Sequence, residues 1–213
     1  MEPFTTFHGL IATLDRANVD TDQIIPKQFL KSIKRTGFGE NLFFDWRYLP
    51  NNKPNPEFEL NAPRFQGAGI LVTRNNFGCG SSREHAVWAI KQYGFQVVIA
   101  PWKEQDGTRI PGFADIFRNN SVKNGLLTIE LGPDEVDQIF GLVDRFPGLE
   151  GTVNLEELRF VLHLDEEIAC HFDIEPTVKE HLLRGLDDID LTMEHESDIE
   201  QFEQSHSFIG VPD

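Results

Sequence analysis

A short apolar run, Gly69-Ile70-Leu71-Val72-Thr73, leads into a glycine-rich turn, an amphipathic segment from about Ser82 to Tyr93 closed by Gly94, and a second apolar run, Val97-Val98-Ile99-Ala100. A strand, a helix and a strand in this order imply two parallel strands joined by a right-handed crossover. Residues 69 to 100 therefore form the architectural centre of an α/β fold, and the rest of the chain is read around them.

Upstream, Thr6 to Leu14 is a strand, and Asn18-Val19-Asp20-Thr21-Asp22 is an ordered turn in which Asx side chains bond their own backbone. Pro26 to Tyr48 mixes apolar and basic groups with two glycines, as in a partly helical functional loop, and Asn51 to Pro63 is an irregular surface connection. Downstream, Phe113 to Asn119 reads as a short helix and Leu126 to Leu131 as a strand. Pro133 to Phe146 is a helix with an apolar stripe of Val136, Ile139, Phe140 and Val143. Thr152–Leu155, Arg159–Leu164 and Ile168–Phe172 alternate as a small antiparallel sheet. Helices are expected at Pro176–Gly185 and at Met193–Ser205. The fold expected is layered, with a mostly parallel central sheet and a smaller C-terminal β and helical region. It is one domain across residues 1 to 213, or one domain carrying 186 to 213 as a helical appendage.

Several function classes are excluded by composition. With 213 residues, 39% hydrophobic and 11% aromatic, the chain can bury a sizeable core. No run of about 18 apolar residues is available to span a bilayer. The N-terminal segment has neither a basic start nor an apolar stretch of the secretory kind, which makes the cytoplasm the expected location. Residues 1 to 110 hold 13 basic and 11 acidic groups, and 111 to 213 hold 6 and 24. Any anion site is thus expected in the first half, and an overall charge of −16 argues against nucleic-acid binding. Cys79 and Cys170 are too few to hold an iron–sulfur cubane, which needs three or four thiolates, so no metal is expected on this chain.

The densest chemistry lies in Asn75-Asn76-Phe77-Gly78-Cys79-Gly80-Ser81-Ser82-Arg83-Glu84-His85, between a buried strand and a helix. Gly78 and Gly80 would let backbone approach a ligand. The helix start favours an anion, and Arg83 adds a planar fork that matches a carboxylate. Ser81 and Glu84 also fit a capping box, a purely structural role. Two serines, an arginine and flanking glycines exceed what capping requires, although a phosphate-binding loop would look similar; the absence of Gly-Lys-Ser/Thr leaves a nucleotide loop poorly supported. Cys79 invites a nucleophile reading but has no triad around it. His85 and Cys170 read as structural.

Phe77 to His85, with Asp20-Thr21-Asp22-Gln23-Ile24-Ile25-Pro26 and Phe113-Ala114-Asp115-Ile116-Phe117, resembles the small-subunit family of bacterial 3-isopropylmalate dehydratase, in the aconitase superfamily. The resemblance runs through nearly the whole chain. It implies a swivel domain within a hydro-lyase of leucine biosynthesis that interconverts 2- and 3-isopropylmalate through isopropylmaleate, active only in complex with a large subunit. That partner would hold a [4Fe-4S] cluster whose iron acts as a Lewis acid. By matching position, Ser81 is the base, and Arg83 binds substrate carboxylate and steadies the developing negative charge, together with Ser82 and the Gly80 backbone. Phe29 and Leu30, apolar residues between cationic ones, are expected to contact the isopropyl group.

One stretch departs from the family pattern. Pro101 is followed by Trp102 to Gly112 before Phe113, and the family's serine before the phenylalanine is absent. Asp106-Gly107 suggests a hairpin with a primed turn at the end of a strand, where loops often border active sites. A lid, a partner contact and an altered chain are all open readings. A protein acting on homoaconitate or a methylmalate, and a non-catalytic anion-binding module on the same scaffold, are the rival functions.

Overall fold

The computed structural model describes residues 1–31, 35–186, 193 and 196–205. Its organising element is β1 (Thr6–Leu14), which has different neighbours along its two halves. Ile11 to Leu14 pair in parallel with β2 (Ile70–Thr73), while Thr6 to Leu10 pair antiparallel with β7 (Glu150–Asn154). Beyond β2 lie β3 (Val97–Pro101) and β6 (Leu127–Leu131), both parallel. Beyond β7 lie β8 (Arg159–Leu162) and β9 (Ile168–His171), both antiparallel. One seven-stranded sheet results, in the order β6-β3-β2-β1-β7-β8-β9. A separate ribbon pairs β4 (Lys103–Gln105) with β5 (Thr108–Ile110).

The burial pattern follows from this division. Every residue of β2 and β3 is buried, because parallel strands linked by crossover helices are covered on both faces. In β7 and β8 buried and half-exposed positions alternate, which fits an antiparallel sheet with one wet face. Helix α3 (Glu84–Tyr93) makes the crossover from β2 to β3 and buries Ala86, Val87, Ala89 and Ile90. Helix α5 (Pro133–Arg145) covers β1, β2 and β3 and buries Val136, Ile139 and Val143. Fully burying one such Val or Ile stabilises the fold by about 1.5–3 kcal/mol. Short helices α1 (Thr21–Ile24) and α2 (Phe44–Arg47), then α4 (Asp115–Lys123), α6 (Pro176–Arg184) and α7 (Glu196–Ser205), are accompanied by 3-10 turns at Lys27–Lys31, Gly39–Asn41, Glu59–Asn61 and Pro63–Phe65.

Three expectations change. Helix α3 begins at Glu84, not at Ser82. Arg83 is its extended N-cap and no side chain caps it, so Ser81 and Glu84 form no capping box. Both residues have tertiary partners: the Ser81 carbonyl accepts a hydrogen bond from Thr21 Oγ1 at 2.7 Å, and the Glu84 carboxylate, which a capping box would need, accepts one from Asn124 Nδ2 at 3.0 Å. A capping box does form at α1, where Asp20 Oδ1 accepts from the Gln23 N–H and Gln23 Oε1 accepts from the Asp20 N–H. Helix α4 starts at Asp115, because Phe113 is engaged in a parallel bridge with Phe77. Of the expected functional loop, residues 32–34 lie outside the described residues, as do 187–192, 194–195 and 206–213 of the expected appendage. The expected hairpin is present. Asp106 (φ 52°) and Gly107 (φ 72°) are both left-handed, as a type I′ turn requires.

Candidate active site

Three connections leave the parallel half of the sheet and are stitched together by backbone hydrogen bonds. From the loop after β1, the Asn18 N–H donates to the Asn75 carbonyl at 3.0 Å and the Thr21 N–H to the Cys79 carbonyl at 2.9 Å. In return, the Gly78 N–H of the loop after β2 donates to the Val19 carbonyl at 2.8 Å. That same loop reaches the connection after β3: the Phe77 N–H donates to the Gly112 carbonyl at 2.9 Å, and the Ala114 N–H to the Phe77 carbonyl at 3.1 Å. The glycine-serine loop is therefore held from both sides.

A cleft of about 250 Å³ opens where these loops meet. Gly80, Ser81, Ser82 and Arg83 form one wall, and the segment from Ala114 to Phe117 faces them. Ser81 and Ser82 are exposed, so their hydroxyls are available to a ligand. Gly80 (φ +88°) is also exposed. Gly78 also lines the cleft, and with φ +75° a Cβ there would fall 2.2 Å from the Phe117 ring. Its missing side chain makes room for the aromatic that backs the cleft.

The arginine side chain is only 10% exposed and its Nη1 is paired with Asp22 Oδ1, while Lys27 Nζ lies 3.5 Å from Asp22 Oδ2. The hydrogen bond from Arg83, more than any other influence, holds the Asp22 carboxyl below its ordinary value. Since a guanidinium has five N–H donors, one pairing aims the group and leaves donors for a carboxylate ligand. Asp22 thus orients a residue of the cleft wall, a role that its turn and motif did not reveal. Its motif was visible, but its partner lies 61 residues away.

Burial, followed by the charge of Asp20, pushes the Cys79 thiol up, which opposes the thiolate a nucleophile needs. Cys170 is buried in β9 and its thiol is pushed up to about 11, mainly by that burial. The His85 ring sits 4.7 Å from Trp88 and edge-on to Phe38 at 5.2 Å, a packing environment. Phe29 packs edge-to-face on Phe44 at 4.8 Å, and Leu30 rests against the core. Neither lines the cleft among the residues that form its walls. Among the described residues, no three His, Cys, Asp or Glu side chains converge as metal ligands, and no helix is long and apolar enough to cross a membrane.

The aconitase C-terminal domain model matches residues 1–134, the stretch that holds the four strands β1, β2, β3 and β6 and the Gly80-Ser81-Ser82-Arg83 loop. The model for the C-terminal domain of the 3-isopropylmalate dehydratase small subunit matches residues 188–207. Over 203 residues the chain is 58% identical to the 3-isopropylmalate dehydratase small subunit of Desulforapulum autotrophicum, covering 95% of each chain. It is 54% identical to that of Geobacillus kaustophilus, covering 97% of this chain and 98% of the relative. The chain belongs to the family of 3-isopropylmalate dehydratase small subunits. A crystal structure titled 3-isopropylmalate dehydratase from Methanocaldococcus jannaschii shares the fold, with a TM-score of 0.60 at 23% identity, covering 92% of this chain and 98% of that one.

Proposed function

We propose that this chain, in complex with a large subunit in the cytoplasm, isomerises 2-isopropylmalate to 3-isopropylmalate through isopropylmaleate. The observation that carries the reading is the meeting of exposed Ser81 and Ser82 with an oriented Arg83 in one cleft. Two separate thiols cannot hold a [4Fe-4S] cluster, so the cluster comes with the large subunit.

In this reading the Arg83 guanidinium and the Ser82 hydroxyl hold a substrate carboxylate. Ser81, as its alkoxide, then takes the proton from the carbon next to that carboxylate and becomes the neutral hydroxyl. The hydroxyl on the neighbouring carbon leaves as water to give isopropylmaleate, a departure for which the large subunit's cluster would supply the Lewis acid. Water then adds back at the other carbon as Ser81 returns the proton. A serine hydroxyl is a weak base unless its alkoxide is stabilised, and Arg83 together with the uncapped start of α3 supplies that stabilisation. As electron density moves onto the carboxylate, Arg83 and Ser82 hold it more tightly than in the ground state, which is what lowers the barrier. Exposed Gly80 leaves the serine open to substrate. Phe29 and Leu30, outside the cleft of the isolated chain, take the isopropyl branch once the partner has docked over it.

The test is anaerobic reconstitution with a cluster-loaded large subunit, following isopropylmaleate by its ultraviolet absorbance, with Ser81→Ala alongside. Turnover by the wild type and a loss of at least about a thousandfold in kcat for Ser81→Ala is the expected result. A stable complex with no turnover, or near-normal rates without the serine, refutes the reading.

A further inference from the structure

The proposed reaction leaves the β4–β5 hairpin without a role. It does not line the cleft, yet it sits in the connection that leads from β3 into the Ala114–Phe117 wall. Besides Arg109, which lies over the Trp102 ring at 4.9 Å, one carboxylate grips its root. Glu130, on β6, is 15% exposed. Its Oε1 accepts a hydrogen bond from the Gly112 N–H at 3.1 Å and lies 3.8 Å from Arg118 Nη1, and its Oε2 accepts from Arg109 Nη2, on β5, at 3.5 Å. Gly112 is pinned from the other side as well, since a Cβ there would come within 2.9 Å of the Pro101 carbonyl oxygen.

From this root the hydrogen bonds continue into the site. The Gly112 carbonyl accepts from Phe77, and the Phe77 carbonyl accepts from Ala114. Next along the loop, Gly78 is bonded to Val19 and Cys79 to Thr21, and Thr21 Oγ1 donates to the Ser81 carbonyl. One carboxylate on the far side of the hairpin therefore anchors the chain of contacts that holds both walls of the cleft.

We propose that Glu130 is a positioning residue for the dehydratase reaction, fixing the root of the hairpin so that Ser81 and Arg83 face the Ala114–Phe117 wall at the spacing the substrate needs. The proposal rests on the reading of the cleft given above. Glu130 touches no substrate. Its carboxylate gives the Gly112 N–H an acceptor and draws Arg109 and Arg118 together, so the hairpin does not slacken the connection it sits in.

Two variants test it in the reconstituted complex. Glu130→Leu removes every acceptor, and Glu130→Gln keeps an oxygen for Gly112 while losing the charge. With KM and large-subunit affinity unchanged, kcat is expected to fall by about tenfold in Glu130→Leu and about threefold in Glu130→Gln. A merely structural role would lower the melting temperature and leave kcat of the folded complex at the wild-type value, and that outcome overturns the proposal. Should Glu130→Leu not fold, Glu130→Gln decides alone: a reduced kcat at constant KM supports positioning, and a wild-type kcat refutes it. A wild-type complex with no turnover removes the dehydratase reading and this inference together, whereas an active wild type with indifferent variants removes only this one.

Discussion

On the parallel side of β1, the connections that follow β1, β2 and β3 all leave from strand ends and interlock, with Asn18, Thr21, Phe77, Gly78 and Ala114 as the bonded residues. On the antiparallel side, β7, β8 and β9 follow one another as neighbours, and the polar groups they expose bond across the sheet. His8 Nδ1 and His163 Nε2 both meet Thr152 Oγ1, at 3.0 and 2.8 Å, and the outer nitrogens face Glu150 and Glu167. The contrast is topological. Parallel strands need long crossovers, and long crossovers can converge from distant parts of the sequence. Hairpin-linked strands turn straight back, and their side chains are used for holding the sheet.

If that division is real, damage to the antiparallel half should cost stability without touching chemistry. Phe160, fully buried in β8, gives the largest effect: Phe160→Ala is expected to lower unfolding free energy by about 3–5 kcal/mol in urea titration, with kcat per folded complex unchanged. A rate loss beyond the lost folded fraction would show that the halves are coupled. On the parallel side, Asp22→Asn should lower kcat/KM by about tenfold at neutral pH by leaving Arg83 unaimed. Because the Asp22 carboxyl sits below its ordinary value of 3.8 in the folded protein, its contribution to stability is present above that pH. It disappears as pH falls through the lower folded value, so the melting temperatures of wild type and Asp22→Asn should converge in acid. The smallest effect is expected from Thr152→Val, within about 0.5 kcal/mol of wild type and with no change in rate, despite the two histidines it would release.

Much of this was legible in the sequence wherever the cause is local. The limits of β1 and of the crossover strands follow from apolar runs, and the type I′ turn follows from Asp106-Gly107, two residues that tolerate positive φ. The serine loop was found because its residue types are unusual together. What stayed hidden depends on partners far along the chain. Nothing near Ser81 and Glu84 says that Thr21 and Asn124 will engage them, so a capping pattern was present without a cap. That Gly78 also makes room for Phe117 could not be read locally, because the ring lies 39 residues on. The switch of β1 from a parallel to an antiparallel neighbour is likewise set by register, to which alternation within one strand is silent.

That switch has a consequence for how the chain is made. Thr6 finds its partner only at Asn154, so during synthesis the N-terminal half of β1 waits for a strand made much later. At about 5–20 residues per second the interval is on the order of ten seconds. Throughout it, the N-terminal half of β1 presents unpaired N–H and C=O groups to whatever strand it meets, another nascent chain included. A transcript truncated before Glu150 would leave that edge open permanently, and its product should aggregate even though the crossover unit and the serine loop are complete.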